Sequence, residues 1–247
     1  MVEKKYILKT GLIMLLLSAA CRGYGQTGKA VNSAPVNDTL KTFKKLCDQI
    51  KDCRGDYTLA GVINIANPTN PALEIKNVVF LFSKHGDQFY YRLGTTETIN
   101  GQGVYLYIDH QNKNIMMSAQ KQVNYDQGPL KPINVDETLR SEHYALTSLI
   151  RGDNQTISLV NEHHISCKQY AITFDKNTLK IKRLFMRLTD VRDPSNRNTE
   201  EVVDVHISQW DRSAALGNYL TKDKVIRTIG GKTRVTESFK NYRLTKM

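Results

Sequence analysis

Cysteine and tryptophan are scarce in this chain. Four Cys and one Trp among 247 residues are too few for a disulfide-built scaffold. With six Pro and 15 Gly, collagen-like and low-complexity polymers are excluded. Acidic residues are outnumbered, 24 against 35 Lys plus Arg, which leaves a formal net charge of +11. Beyond residue 25 no stretch of 18 consecutive apolar residues occurs, so no later segment reads as a membrane-spanning helix. Catalytic signatures are missing too: there is no G-x-S-x-G elbow, no H-E-x-x-H pair and no Cys–His signature. Ile229-Gly230-Gly231-Lys232-Thr233 looks like a phosphate loop only at one end, because Ile226 stands where that motif needs its first glycine. The expectation is a non-catalytic protein with no cofactor and no metal.

The N-terminus is more informative. Lys4, Lys5 and Lys9 precede Gly11 to Ala20, a ten-residue uncharged apolar core. That order, closed by small residues, reads as a signal peptide over residues 1–25, and the core is too short to span a bilayer. Two endings stand open. Gly23-Tyr24-Gly25 before Gln26 suits a signal-peptidase cut and resembles the ends of exported Bacteroidetes proteins. Ser18-Ala19-Ala20-Cys21 resembles a lipobox, with Ser18 where Leu is usual, and would lipidate Cys21 and anchor the chain to the outer membrane. Removing residues 1–25 takes away Lys4, Lys5, Lys9 and Arg22 against Glu3, leaving a charge of +8. A periplasmic address follows, which excludes most ATP-dependent and nucleic-acid roles. The remaining positive charge suits anionic headgroups or acidic glycans, or serves solubility.

Residues 26–37 are polar and aperiodic and read as a flexible leader. Leu40, Phe43, Leu46, Cys47, Ile50 and Cys53 then recur at offsets of three and four. They predict an amphipathic helix from an Asp38 cap to Gly55. Five strand-like runs follow: 57–66, 78–82, 89–93, 104–108 and 115–117, with 94–103 as a polar loop. A second helix is expected from Leu139 to Ile150, stopped at Gly152. Strands resume at 157–160, 167–174, 179–188 and 202–210. In 179–188 the apolar parity slips near Lys182-Arg183, which predicts a β-bulge. A short helix over 222–229, stopped by Gly230-Gly231, and an edge strand within 233–244 complete the chain. The expected class is mainly β (α+β): one domain over 38–247, a curved antiparallel sheet or half-barrel with two to three accessory helices.

Other constellations are weaker. His163, His164 and Cys167, with His206, are metal-ligand types, but neighbouring strand residues point to opposite faces. Glu97, Glu137, Asp204 and Asp211 carry no spacing that would pair two of them. Cys47 and Cys53 lie too far apart along an intact helix to bond; a helix ending before Cys53 would allow that bond, and either could reach Cys167. Asp38-Thr39-Leu40 resembles an O-glycosylation triplet and equally a helix cap.

In element order, residues 38–246 resemble the lipoprotein-carrier (LolA/LolB-like) superfamily. No motif aligns residue by residue, so none of that family's functional residues is carried over. The resemblance implies an incomplete barrel whose apolar cavity holds acyl chains, and hence binding of a hydrophobic ligand or lipoprotein acyl chain by a carrier or sensor. Aromatic and adaptable Met side chains suit such a guest. Phe80, Phe82, Tyr91, Leu106, Met117, Leu184, Met186 and Leu188 are the expected lining, set against a simply filled core. The alternative function is an envelope protein–protein interaction module, membrane-peripheral at most. Protein recovered from the envelope of its native host should show an intact mass lacking residues 1–25, or a diacylglyceryl adduct on Cys21; a full-length mass contradicts the export reading.

Overall fold

The computed structural model describes residues 35–51, 55–122, 139–190, 192–219 and 221–247. The signal segment, most of the leader, Cys21, Cys53 and Glu137 lie outside the described residues. Helix α1 spans Pro35–Lys51. The strands are β1 (Tyr57–Ala66), β2 (Ile75–His85), β3 (Gln88–Leu93), β4 (Thr96–Gly101), β5 (Val104–Asp109), β6 (Asn114–Ala119), β7 (Ala145–Arg151), β8 (Asn154–Val160), β9 (Cys167–Asp175), β10 (Ile181–Leu188) and β11 (Glu201–Asp211). A four-residue helix α2 (Lys222–Val225), the hairpin β12 (Ile226–Ile229) and β13 (Lys232–Val235), and β14 (Arg243–Lys246) complete it. No described helix is long and apolar enough to cross a membrane.

The class is mainly β with few helices, as the turn-separated runs predicted. Twelve strands form one sheet in the order β14-β6-β5-β4-β3-β2-β1-β11-β10-β9-β8-β7. Among the described residues the end strands β14 and β7 do not pair with each other, so the sheet is open. Successive strands from β2 to β6 and from β7 to β11 pair antiparallel, whereas β14 runs parallel to β6.

Two compact units divide the chain. Of the described residues, one holds 35–51, 63–77, 139–190 and 192–207. The other holds 55–62, 78–122, 208–219 and 221–247. In the first, α1 supplies Phe43 and Leu46, both buried, and Phe43 meets the Tyr170 ring edge-on at 6.5 Å. The predicted stripe is therefore used. The helix begins three residues before Asp38, however, so Asp38 sits in its first turn, beside Lys41 at 3.8 Å. It complements the helix dipole rather than capping it. In the second unit, Tyr90, Ile99, Leu106, Ile108 and Ile115 pack with Val225, Ile226 and Phe239 of the C-terminal segment.

The bulge near Lys182-Arg183 is present as a register shift between Ile181 and Arg183. Three expectations fail for local reasons. Residues 96–101 are strand β4, not loop, because their polar side chains are bonded inside the sheet: Asn100 donates to the carbonyls of Asp87 and Lys121 at 2.7 and 3.0 Å. Residues 145–151 are strand β7, not helix; only 139–141 are helical there. Leu146, Leu149 and Ile150 fit a helical spacing, but the Gly152 turn, with φ +58°, folds the segment onto β8. The helix at Lys222 ends after four residues, since Gly230 and Gly231, at φ +57° and +74°, make the two-residue hairpin turn of β12–β13.

A buried charge network ties β9, β10 and β11 together. Lys168, 3 % exposed, donates to the Pro194 carbonyl at 2.6 Å and to Glu200 at 3.0 Å. Arg187 bonds Glu200 at 2.9 Å and, through both terminal nitrogens, Glu162 at 3.0 and 2.9 Å. Burial alone would raise the Glu200 pKa, but bonds from Arg187 and Lys168 hold it below the ordinary value. A depressed carboxylate stabilises the fold above its unfolded pKa, and that stability is lost as pH falls through the folded pKa. Glu200→Gln should cost about 3–5 kcal/mol at neutral pH by leaving Lys168 buried without its counter-charge. Urea unfolding checks this, and the difference from the parent should shrink on acidification.

Candidate functional site

In an antiparallel ladder, residues opposite one another share a face. The register of β2, β3, β4, β5 and β6 therefore sorts the second unit into two surfaces. Phe82 pairs with Tyr91, Tyr91 with Thr98, Thr98 with Tyr107, and Tyr107 with Met116. Ser83, Tyr90, Ile99, Leu106 and Met117 form the row on the opposite face by the same logic.

That second face is occupied. Leu106 is fully buried, and Met117 packs on the same cluster as Val225, Ile226 and Phe239. A polar chain closes it. Tyr90 donates to Glu97 at 2.5 Å, His110 meets Glu97 at 2.9 Å through Nε2, and its Nδ1 meets the Tyr242 hydroxyl at 2.7 Å. Burial and the Glu97 carboxylate together push the Tyr90 pKa well up. The chain clamps the C-terminal segment to β4 and β5.

The first face carries a continuous aromatic cluster. Phe82 lies 5.4 Å from Tyr57, 5.7 Å from Phe89 in a stacked arrangement and 6.1 Å from Tyr91. Phe82 and Phe89 are half-buried, whereas Phe80 and Tyr91 are buried. Lys84, two residues along β2 from Phe82, is buried, bonds the Gly55 carbonyl at 3.3 Å and lies 5.9 Å from the Tyr57 ring centre. The Tyr91 hydroxyl is buried with no hydrogen-bond partner among the described residues, and burial raises its pKa. A phenol normally finds a partner when buried.

Of the eight expected lining residues, Phe80, Phe82 and Tyr91 thus share the aromatic face, while Leu106 and Met117 belong to the opposite one. Leu184, Met186 and Leu188 lie on β10 of the first unit. Leu184 pairs with Ile172 and Met186 with Tyr170, the residue met by Phe43 of α1; both are buried, and Leu188 is half-buried. Tyr57 and Phe89 were missed, although their position beside Phe82 follows once the His85–Gln88 hairpin fixes the register.

The His–Cys cluster resolves into pairs. His163 is exposed, while buried His164 bonds Glu142 at 2.8 Å through Nε2 and accepts the Cys167 N–H at 3.0 Å through Nδ1. His206 meets Asp204 at 3.2 Å. No group of three His, Cys, Asp or Glu able to hold a metal occurs among the described residues. Cys47 is half-buried and Cys167 is buried. Burial would raise the Asp204 pKa, but two bonds from Arg183, with His206 beside it, hold it down.

No family model matches the sequence, and no curated protein matches it. Among solved structures the chain is similar to an uncharacterized conserved protein from Thermus thermophilus, with a TM-score of 0.37 and 7 % identity over 86 % of this chain and 99 % of that one. It is also similar to a LolA superfamily protein from Nitrosomonas europaea, with a TM-score of 0.28 and 8 % identity over 73 % and 97 % of the two chains. A DUF1329 family protein from Desulfovibrio piger gives a TM-score of 0.29 and 11 % identity over 76 % and 96 %. These are distant likenesses.

The two neighbouring tyrosines separate the faces experimentally. Tyr91→Phe should leave stability unchanged or raise it by about 1 kcal/mol, since it removes a buried hydroxyl without a partner. Tyr90→Phe should cost about 1–3 kcal/mol, since it breaks a bond to a carboxylate. Denaturant midpoints of the two variants decide.

Proposed function

We propose that the aromatic face formed by Tyr57, Phe80, Phe82, Phe89 and Tyr91 binds a single acyl chain, non-catalytically, as a periplasmic carrier or sensor of a lipid or lipoprotein. The observation that carries this reading is the contrast between the two faces of β2–β6. One is filled by the C-terminal segment of the same chain. The other keeps half-buried Tyr57, Phe82 and Phe89 beside buried Phe80 and Tyr91, whose hydroxyl no described residue satisfies.

The chemistry is suited to a long apolar guest. Each aromatic side chain offers a large, rigid surface at small entropic cost. Each methylene laid against such rings contributes about 0.8 kcal/mol, so a chain of about ten offsets the loss of free translation and rotation. Half-buried Met116 adds an adaptable contact. The unpaired Tyr91 hydroxyl suits a carbonyl oxygen at the head of the acyl chain, where it would gain the partner it lacks. Leu184 and Met186, buried in the first unit, make poor test positions, because charge there would unfold the strand pair.

Native mass spectrometry of protein purified from its host, followed by lipid extraction, tests the proposal. Bound lipid is expected on the parent. Phe82→Arg, at a half-buried position, should remove it while circular dichroism and unfolding stay close to the parent. A parent that carries no lipid and takes up no palmitoyl probe, with its aromatic face intact, overturns the reading.

A further inference from the structure

The two ends of the sheet are built differently. β14 is four residues long and carries Arg243 and Lys246, the short, charged form that discourages further pairing. β7, at the other end, is longer and less charged, and α1 packs against it without supplying a pairing strand. It is seven residues long, holds no Pro or Lys, pairs with β8 without a register shift, and carries its one charge at Arg151. Its side chains are exposed apart from Leu146; Leu149 is 52 % exposed and Ile150 59 %. Among the described residues no strand pairs with its outer edge.

The hairpin fixes which backbone groups face outward. Arg151 opposes Asn154 across the two-residue Gly152-Asp153 turn. In such a turn the flanking pair is hydrogen-bonded, and bonded and non-bonded pairs then alternate. Ala145, Thr147, Leu149 and Arg151 therefore direct their N–H and C=O groups to β8. Leu146, Ser148 and Ile150 direct theirs away from the sheet.

We propose that β7 pairs antiparallel with β7 of a second copy of this chain, about a two-fold axis at Ser148. This register overlaps all seven residues, and a shift to either side leaves strand unpaired. It places Leu146 opposite Ile150 and Thr147 opposite Leu149, each twice, with Ser148 facing its own copy. Apolar and β-branched side chains meet their like, and Arg151 lies opposite Ala145, so no like charges are opposed. The pairing groups are those of Leu146, Ser148 and Ile150, the ones β8 does not use. A two-fold interface must be self-complementary, and Ala-Leu-Thr-Ser-Leu-Ile-Arg is nearly so about its central serine. This inference is independent of the acyl-chain reading, since β7 lies in the unit that does not hold the aromatic face.

Sedimentation velocity from micromolar to hundred-micromolar concentration reads the association directly. The parent should pass from single to double mass. Ser148→Pro removes an outward N–H without touching the β8 ladder, so its circular dichroism should be unchanged and its mass single throughout. Ser148→Cys places two thiols on a bonded pair with Cα atoms about 5.5 Å apart, within disulfide reach. Mild oxidation should then give a covalent dimer well above the parent's background, whereas Thr147→Cys, which faces Leu149, should not. A parent that stays single at all concentrations, a Ser148→Pro variant that dimerises like the parent, or equal cross-linking of the two cysteine variants overturns the proposal.

Discussion

A β-sheet has two faces, and alternate residues of every strand feed each of them. Both faces need cover wherever the strands are apolar on both sides, and the covers here come from different parts of the chain. In one unit α1 brings Phe43 and Leu46 down beside Tyr170. In the other, Val225, Ile226 and Phe239 fill one face of the meander, and the Tyr90–Glu97–His110–Tyr242 chain fastens the same segment by hydrogen bonds. The aromatic face is what remains once those assignments are made. Its rings are not individually unusual. What sets them apart is the cover already supplied to the surface behind them.

Local patterns in the sequence reveal most strands but not the faces they share. β1 is legible residue for residue, because alternation and the Asn67-Pro68 turn agree. The bulge in β10 is legible because apolar parity slips at a countable position. β4 was hidden by its own composition: Thr-Glu-Thr-Ile-Asn-Gly reads as loop, and only the partners of Asn100 and Glu97 explain how those polar groups are held in a sheet. β7 is concealed because Leu146, Leu149 and Ile150 fit a helical spacing, whereas in the strand Leu149 faces away from the other two. Arbitration came from the glycine turn to β8, which is a pairing property rather than a local one.

The eight expected lining residues illustrate the same limit. Each is an apolar or aromatic residue on a strand, and single-strand alternation cannot say whether Tyr91 and Leu106 point the same way. That depends on the lengths of the β3–β4 and β4–β5 turns, and on an intervening strand the sequence concealed. Once β4 is inserted, Tyr91 falls in the row of Phe82 and Leu106 in the row of Ile99. The buried Lys168–Glu200–Arg187 network was equally invisible, since its members come from β9, β10 and the entry to β11 and resemble ordinary surface charges along the chain.

The parallel pairing of β14 with β6 also bears on the order in which the fold is assembled. Arg243 is matched with Asn114, so this ladder joins parts of the chain far apart in sequence, at the far end of a meander whose other joints are short turns. Closing so long a loop is entropically costly, and contacts of this separation form late. Until then β6 is itself an open edge beside a finished hairpin stack. The last few residues thus decide when one border of the sheet stops being adhesive, and a chain waiting for them has a longer exposure to misassembly than its short local turns would suggest.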